Sequence, residues 1–110
     1  MARIAVHGTE LIIYSRIEGQ LVPLGHEVHR VRAGEAGDEP ADLALCDVEQ
    51  VDPEWAVREL RPAKLLGFGS HEQPGALKRA KLAGFDKVVA RSAVASKLAA
   101  LTDELLGDDP

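Results

Sequence analysis

Apolar residues in this chain come either in short unbroken runs or in longer stretches where they recur every three or four positions. The first pattern predicts strands buried on both faces, the second amphipathic helices packed on them. Arg3 to His7 reads as a first strand, with Ile4, Ala5 and Val6 in the core, ending at Gly8-Thr9. Thr9 is placed to cap a helix reaching about Leu24, with Ile13, Ile17, Leu21 and Leu24 on one face and Gly25 as its left-handed end. Glu27 to Ala33 alternates only loosely and predicts an edge strand.

The run Ala41-Asp42-Leu43-Ala44-Leu45-Cys46-Asp47 is the strand buried on both faces, with a carboxylate at its carboxyl end. Asp52-Pro53-Glu54 then combines a capping Asp, Pro at the first helical position and an acid in the first turn. That helix runs to about Leu60, with Ala56, Val57 and Leu60 inward, and stops before Pro62. Lys64 to Gly69 is a fourth strand. Pro74 opens a helix with Leu77, Ala80 and Ala83 on one face and Gly84 at its end. Asp86 to Arg91 is a fifth strand, and Val94, Leu98, Leu101 and Leu105 mark a last helix over Ala93 to Leu106.

One segment breaks the alternation. Residues 34–40 hold two glycines and a proline in seven positions. A crossover between parallel strands normally needs a dozen or more residues, so there is room here for one helical turn at most. The expected architecture is an α/β, doubly wound five-stranded parallel sheet of flavodoxin-like type, strand order 2-1-3-4-5, with the second helix shortened or absent. Residues 1–106 form a single domain, and 107–110 a frayed acidic tail.

Composition narrows the function classes. A net charge of −5 in 110 residues argues against nucleic acid as a ligand. No apolar run reaches the roughly 18 residues of a membrane span. The chain starts directly in its first strand without a signal-like apolar segment, and its single cysteine, Cys46, suits a reducing compartment. The expectation is a cytoplasmic protein. In doubly wound sheets ligands gather beyond the carboxyl ends of the strands, which would bring His7, Asp47, Ser70, His71 and Arg91 to one edge.

On these residues the chain resembles a response-regulator receiver domain over nearly its whole length. Pro40-Ala41-Asp42-Leu43-Ala44-Leu45-Cys46-Asp47 is similar to the third strand of that family, which puts Asp47 at the phosphoacceptor position. Leu82-Ala83-Gly84-Phe85-Asp86-Lys87-Val88-Val89 is similar to its Ala-Gly turn and fifth strand, and Leu24-Gly25-His26-Glu27-Val28 also fits. The resemblance places Arg91 where receivers have Lys, and Gly69 or Ser70 where they have Thr or Ser. It also implies a contact surface for protein partners at about 74–106.

Departures from the family are as informative. Receivers hold Mg²⁺ with two adjacent acids after the first strand, and here those positions are His7 and Gly8. Phosphoryl transfer needs that metal to neutralise developing charge. Glu10 lies a turn too late to replace it directly. A planar guanidinium at Arg91 is no substitute for a compact ammonium, and Ser92 replaces the usual Pro.

The resulting expectation is a degenerate, stand-alone receiver-like module, not an enzyme. It would act through contacts with a protein partner or a second copy of itself, without cofactor. Asp47 would then be paired with Arg91 as a structural ion pair. A phosphoacceptor using Asp47 and Mg²⁺ is the first alternative, and a small-molecule or metal site is the second. His7, Asp47 and His71 would supply ligand types suited to Zn²⁺, though without a local ligand spacing. Cys46 and Trp55 are expected to pack. Gly67-Phe68-Gly69-Ser70 lacks the spacing of a phosphate cradle and is expected to be a tight strand-to-helix turn.

Overall fold

Five strands and four α-helices alternate in the computed structural model, which describes residues 2–107. The strands are β1 (Arg3–His7), β2 (Glu27–Val31), β3 (Leu43–Asp47), β4 (Lys64–Gly69) and β5 (Lys87–Ala90). The helices are α1 (Leu11–Leu21), α2 (Pro53–Leu60), α3 (Pro74–Ala83) and α4 (Arg91–Leu106). One sheet runs β2-β1-β3-β4-β5, with every neighbouring pair parallel. The expected strand order is therefore the observed one, and β2 lies at an edge.

Alternation along the strands separates two cores. Ile4, Val6, Leu43, Leu45, Leu66 and Phe68 face α1 and α4, meeting Ile17, Leu21, Val94, Leu98 and Leu101. Burying a Leu or Ile fully is worth about 1.5–3 kcal/mol, so this is the stronger cluster. The opposite face carries Ala44, Cys46 and Leu65 against Ala56, Ala63, Ala80 and Phe85. Small residues there let α2 and α3 approach closely. Trp55 is half-buried on that second cluster, and Cys46 is fully buried within it, its thiol pushed up to about 12 by burial and then by the Asp47 charge. Such a thiol packs and does not react.

Several element ends differ from expectation. Glu10, not Thr9, occupies the position before α1, and Thr9 makes no capping bond. The chain needs the extra residue to leave the turn at Gly8, where φ is +73°. Beyond Leu21 the helix tightens into a 3₁₀ turn over Val22–Leu24, because Pro23 has no N–H to continue the α ladder. Leu24 consequently leaves the helical face and stands 54% exposed. Gly25 and Gly84 end their elements in the left-handed conformation as expected. Asp52 caps α2 by accepting the Glu54 N–H at 3.1 Å.

β2 ends at Val31, two residues short of Ala33, and no helix forms between β2 and β3. The sheet is nevertheless covered there: residues 36–41 lie over Ala5 and His7, leaving a cleft of about 300 Å³ against the end of α2. His7 beneath this strap is 1% exposed. Residues 108–110 of the expected tail lie outside the described residues.

Asp86 ties the third helical unit to the sheet. Its Oδ2 accepts the Leu65 amide at 2.8 Å and Arg61 Nη1 at 2.7 Å. Burial pushes this carboxyl up, but the Arg61 and Leu65 bonds with the Arg61 and Lys64 charges outweigh that and hold it below the ordinary range.

Candidate functional site

Asp47 closes β3 and is 6% exposed. Its Oδ1 accepts the backbone N–H of Glu49 at 3.0 Å, a local turn that orients the carboxylate. Its Oδ2 lies 3.4 Å from Arg91 Nη2. The same Nη2 is 3.3 Å from Glu49 Oε2. One guanidinium therefore bridges two carboxylates two residues apart. Burial pushes the Asp47 carboxyl up; the Glu49 N–H and the Arg91 charge oppose this without reversing it.

Arg91 was expected at the end of the fifth strand. It is the first residue of α4, because β5 stops at Ala90. From that position its side chain crosses the end of β4 toward β3. Ser92 lies in the same first helical turn, where its carbonyl accepts Ser96 Oγ at 3.1 Å.

Glu49 was missed in the sequence. Its Oε2 also accepts the Ser70 N–H at 2.6 Å, so it links β3, β4 and α4. The only signal was an acid two positions after Asp47 in a loop rich in polar residues. Gly69 makes room for it: a Cβ there would lie 3.2 Å from Glu49 Oε2. Gly67 and Gly69 are both buried inside β4. The fourth strand expected over 64–69 is the one observed; the turn expected across 67–70 begins only at Ser70, and the two glycines serve instead to admit Val48, Phe85 and Glu49.

His7 and Gly8 close β1. The His7 ring lines the cleft beneath the 36–41 strap, on the α2 side of the sheet with Ala5 and Ala44. Its Nδ1 is buried without a partner. Burial lowers its pKa below the ordinary 6.5, partly offset by the Glu35 carbonyl. Gly8 lies at φ +73°, and a Cβ there would approach Val51 Cγ2 to 2.9 Å. His71 is exposed on the loop after β4, lining a groove with Ser70, Arg91 and Ile13.

Asp47, Ser70 and Arg91 thus converge, with Glu49 joining them. His7 and His71 do not complete a ligand set: among the described residues no three His, Cys, Asp or Glu side chains group to hold a metal. The residues present do not fit a receiver's Mg²⁺ either. Gly8 supplies no side-chain carboxylate, His7 is buried under the strap, and both local carboxylates already face the Arg91 guanidinium.

No protein-family model matches the chain, and no curated protein sequence matches it. Solved structures do match. The N-terminal domain of a response regulator/sensory box/GGDEF 3-domain protein from Carboxydothermus hydrogenoformans superposes with a TM-score of 0.77 at 18% identity, over 96% of this chain and 94% of that one. A response regulator from Thermotoga maritima gives 0.76 at 14% identity, over 96% and 98%. The chain has the receiver fold. A response regulator from Burkholderia pseudomallei, solved with a phosphorylated aspartic acid, a calcium ion and citrate, has the same fold at TM-score 0.69 and 14% identity, over 100% and 76%. At these identities the likeness carries the receiver fold and leaves the chemistry to the residues. No helix among the described residues is long and apolar enough to cross a membrane.

Proposed function

We propose that this chain is a receiver-like signalling module that works through protein contacts, with a partner or a second copy of itself, and without Mg²⁺-dependent phosphoryl transfer. The observation that carries the reading is the double bridge from Arg91 to Asp47 and Glu49. A carboxylate that is to attack a phosphorus atom needs a free oxygen and a divalent cation to shield the incoming charge. Here the shielding cation is a side chain of the protein itself, and the Asp47 oxygens already serve as acceptors. Gly8 supports the same reading. Its left-handed backbone and the nearness of Val51 exclude the side chain that would restore a metal ligand at that position.

Contact surface is available. Leu11, Ile12 and Leu82 are 61%, 70% and 78% exposed. These lie on α1 and α3, outside both cores. Leu11 and Ile12 are adjacent on α1, across the sheet from Leu82 on α3, so the α1 pair offers the larger local apolar spot for a partner.

The rival reading is a phosphoacceptor, favoured by the place of Asp47 at the end of the third strand and by the phosphorylated aspartic acid in the Burkholderia structure. Incubation with acetyl phosphate and Mg²⁺ followed by intact mass measurement separates the two. The expected result is an unchanged mass. A phosphoryl gain in the native chain that disappears in Asp47→Asn overturns the proposal. Sedimentation equilibrium over a wide concentration range then reports whether the partner is the chain itself.

A further inference from the structure

A second cleft opens where the loops after β1, β2 and β3 meet. Gly8, Thr9, Arg30, Arg32 and Gln50 line it, and its volume is about 580 Å³. None of Asp47, Glu49, Ser70 or Arg91 takes part in it. Gly8 is closely packed by side chains: a Cβ there would meet Val51 Cγ2, Gln50 Cβ and Ala33 Cβ at 2.9, 3.2 and 3.4 Å.

The cleft is basic although the chain is acidic. The chain carries a net charge of −5, yet Arg30 and Arg32 line this cleft with no carboxylate beside them, the acids Glu35, Asp38 and Glu39 lining the neighbouring cleft that the two arginines also border. Arg30 is held in place, donating from Nε and Nη2 to the Thr9 carbonyl at 3.3 and 3.0 Å. Arg32 makes no ion pair among the described residues. Its backbone is anchored, because its carbonyl accepts the Glu35 amide at 3.1 Å. Thr9 adds a hydroxyl that is buried and has no partner in the protein. Two arginines that line one cleft can share an anion. The guanidinium fork matches two phosphate oxygens, and the cleft lies beyond the carboxyl ends of β1 and β2, where α/β sheets bind ligands.

We propose that this cleft binds a small phosphomonoester, its phosphoryl group between Arg30 and Arg32 and its neutral remainder against Gln50. The volume lies within the range that holds a mononucleotide-sized molecule. This site stands apart from the Asp47 pocket and does not depend on how that pocket functions.

Amide chemical-shift titrations with inorganic phosphate and with adenosine 5′-monophosphate test it, with adenosine as the uncharged control. The expected result is a saturable response at residues 8–9, 30–33 and 50, with a dissociation constant of about 1 mM or tighter at low salt. Added salt weakens it, because both arginines are solvent-exposed. Equal affinity for both anions means that the cleft reads the phosphoryl group alone; tighter binding of the nucleotide means that Gln50 and its neighbours read the remainder. Arg32→Gln and Arg32→Glu, at an exposed position outside the strands, keep the dispersed spectrum and lose binding about tenfold or more. No saturation at about ten times that concentration, shifts centred elsewhere, or full binding by Arg32→Glu overturns the proposal.

Discussion

The Glu49 carboxylate accepts the Ser70 amide at 2.6 Å, joining the loop after β3 to the end of β4. The same oxygen receives Arg91, so three elements distant in sequence meet on one atom. A charged acceptor on a backbone N–H is worth more than a neutral one, and removing it leaves a donor to find water. Glu49→Ala is expected to lower stability by about 1–3 kcal/mol in chemical denaturation, with Glu49→Gln losing less because it keeps the acceptor. Equal stability of all three chains would mean that the junction contributes nothing.

Asp47 behaves oppositely. Burial raises its folded pKa above the unfolded 3.8, so the folded state holds the proton more firmly. Stability therefore falls as pH rises from 3.8 through the folded pKa, where the native carboxyl ionises at a cost that the Glu49 N–H and Arg91 only partly offset. Asp47→Asn keeps the Oδ1 acceptor for the Glu49 amide and is expected to be as stable as the native chain, or more so, at neutral pH. A loss beyond about 1 kcal/mol would show that the Arg91 pair outweighs its desolvation cost.

His7 sets an acid limit. Its folded pKa is lowered by burial, so the unfolded chain takes up the proton first, near 6.5. The stability carried by neutral His7 is complete above that value and is lost as pH falls from 6.5 toward the folded pKa. Denaturation midpoints measured from about pH 7.5 down to about pH 5 should fall in the native chain and fall less in His7→Leu. Parallel profiles would remove His7 from the account. The strap residues 36–41 cover the ring, so their amides should exchange faster as it titrates.

Gly67 is closely packed within the second core. A Cβ there would lie 2.9 Å from both Phe85 Cδ2 and Val48 Cγ1. Gly67→Ala is expected to cost about 1–3 kcal/mol through overpacking, measured as a lower denaturation midpoint with an unchanged slope. Gly75→Ala is the control, since nothing lies within 4 Å of the added carbon.

Local pattern carried much of this protein. The unbroken run ending at Asp47 marked a strand buried on both faces, the Asp52-Pro53 pair marked the start of α2, and the short glycine-rich 34–40 segment marked the missing helix. Each is a property of neighbouring residues, set by side-chain period, backbone φ or chain length, and so it is readable along the chain. The convergence of Asp47 with Arg91 was also legible, because parallel strands end on one side.

Contacts between distant segments decided the rest. Glu49 reaches Ser70 across 21 positions and Arg91 across 42, and no periodicity encodes such a meeting. Residues 64–69 were legible as a strand, but the purpose of Gly67 and Gly69 within it was not, because their close approach to Phe85, Val48 and Glu49 exists only in the assembled fold. Thr9 lost its capping role because the chain leaves a left-handed turn at Gly8 and α1 begins one residue later, after Glu10. Sequence determined which elements form and in what order. Tertiary packing determined which charges meet, because burial and distance exist only once the sheet is assembled.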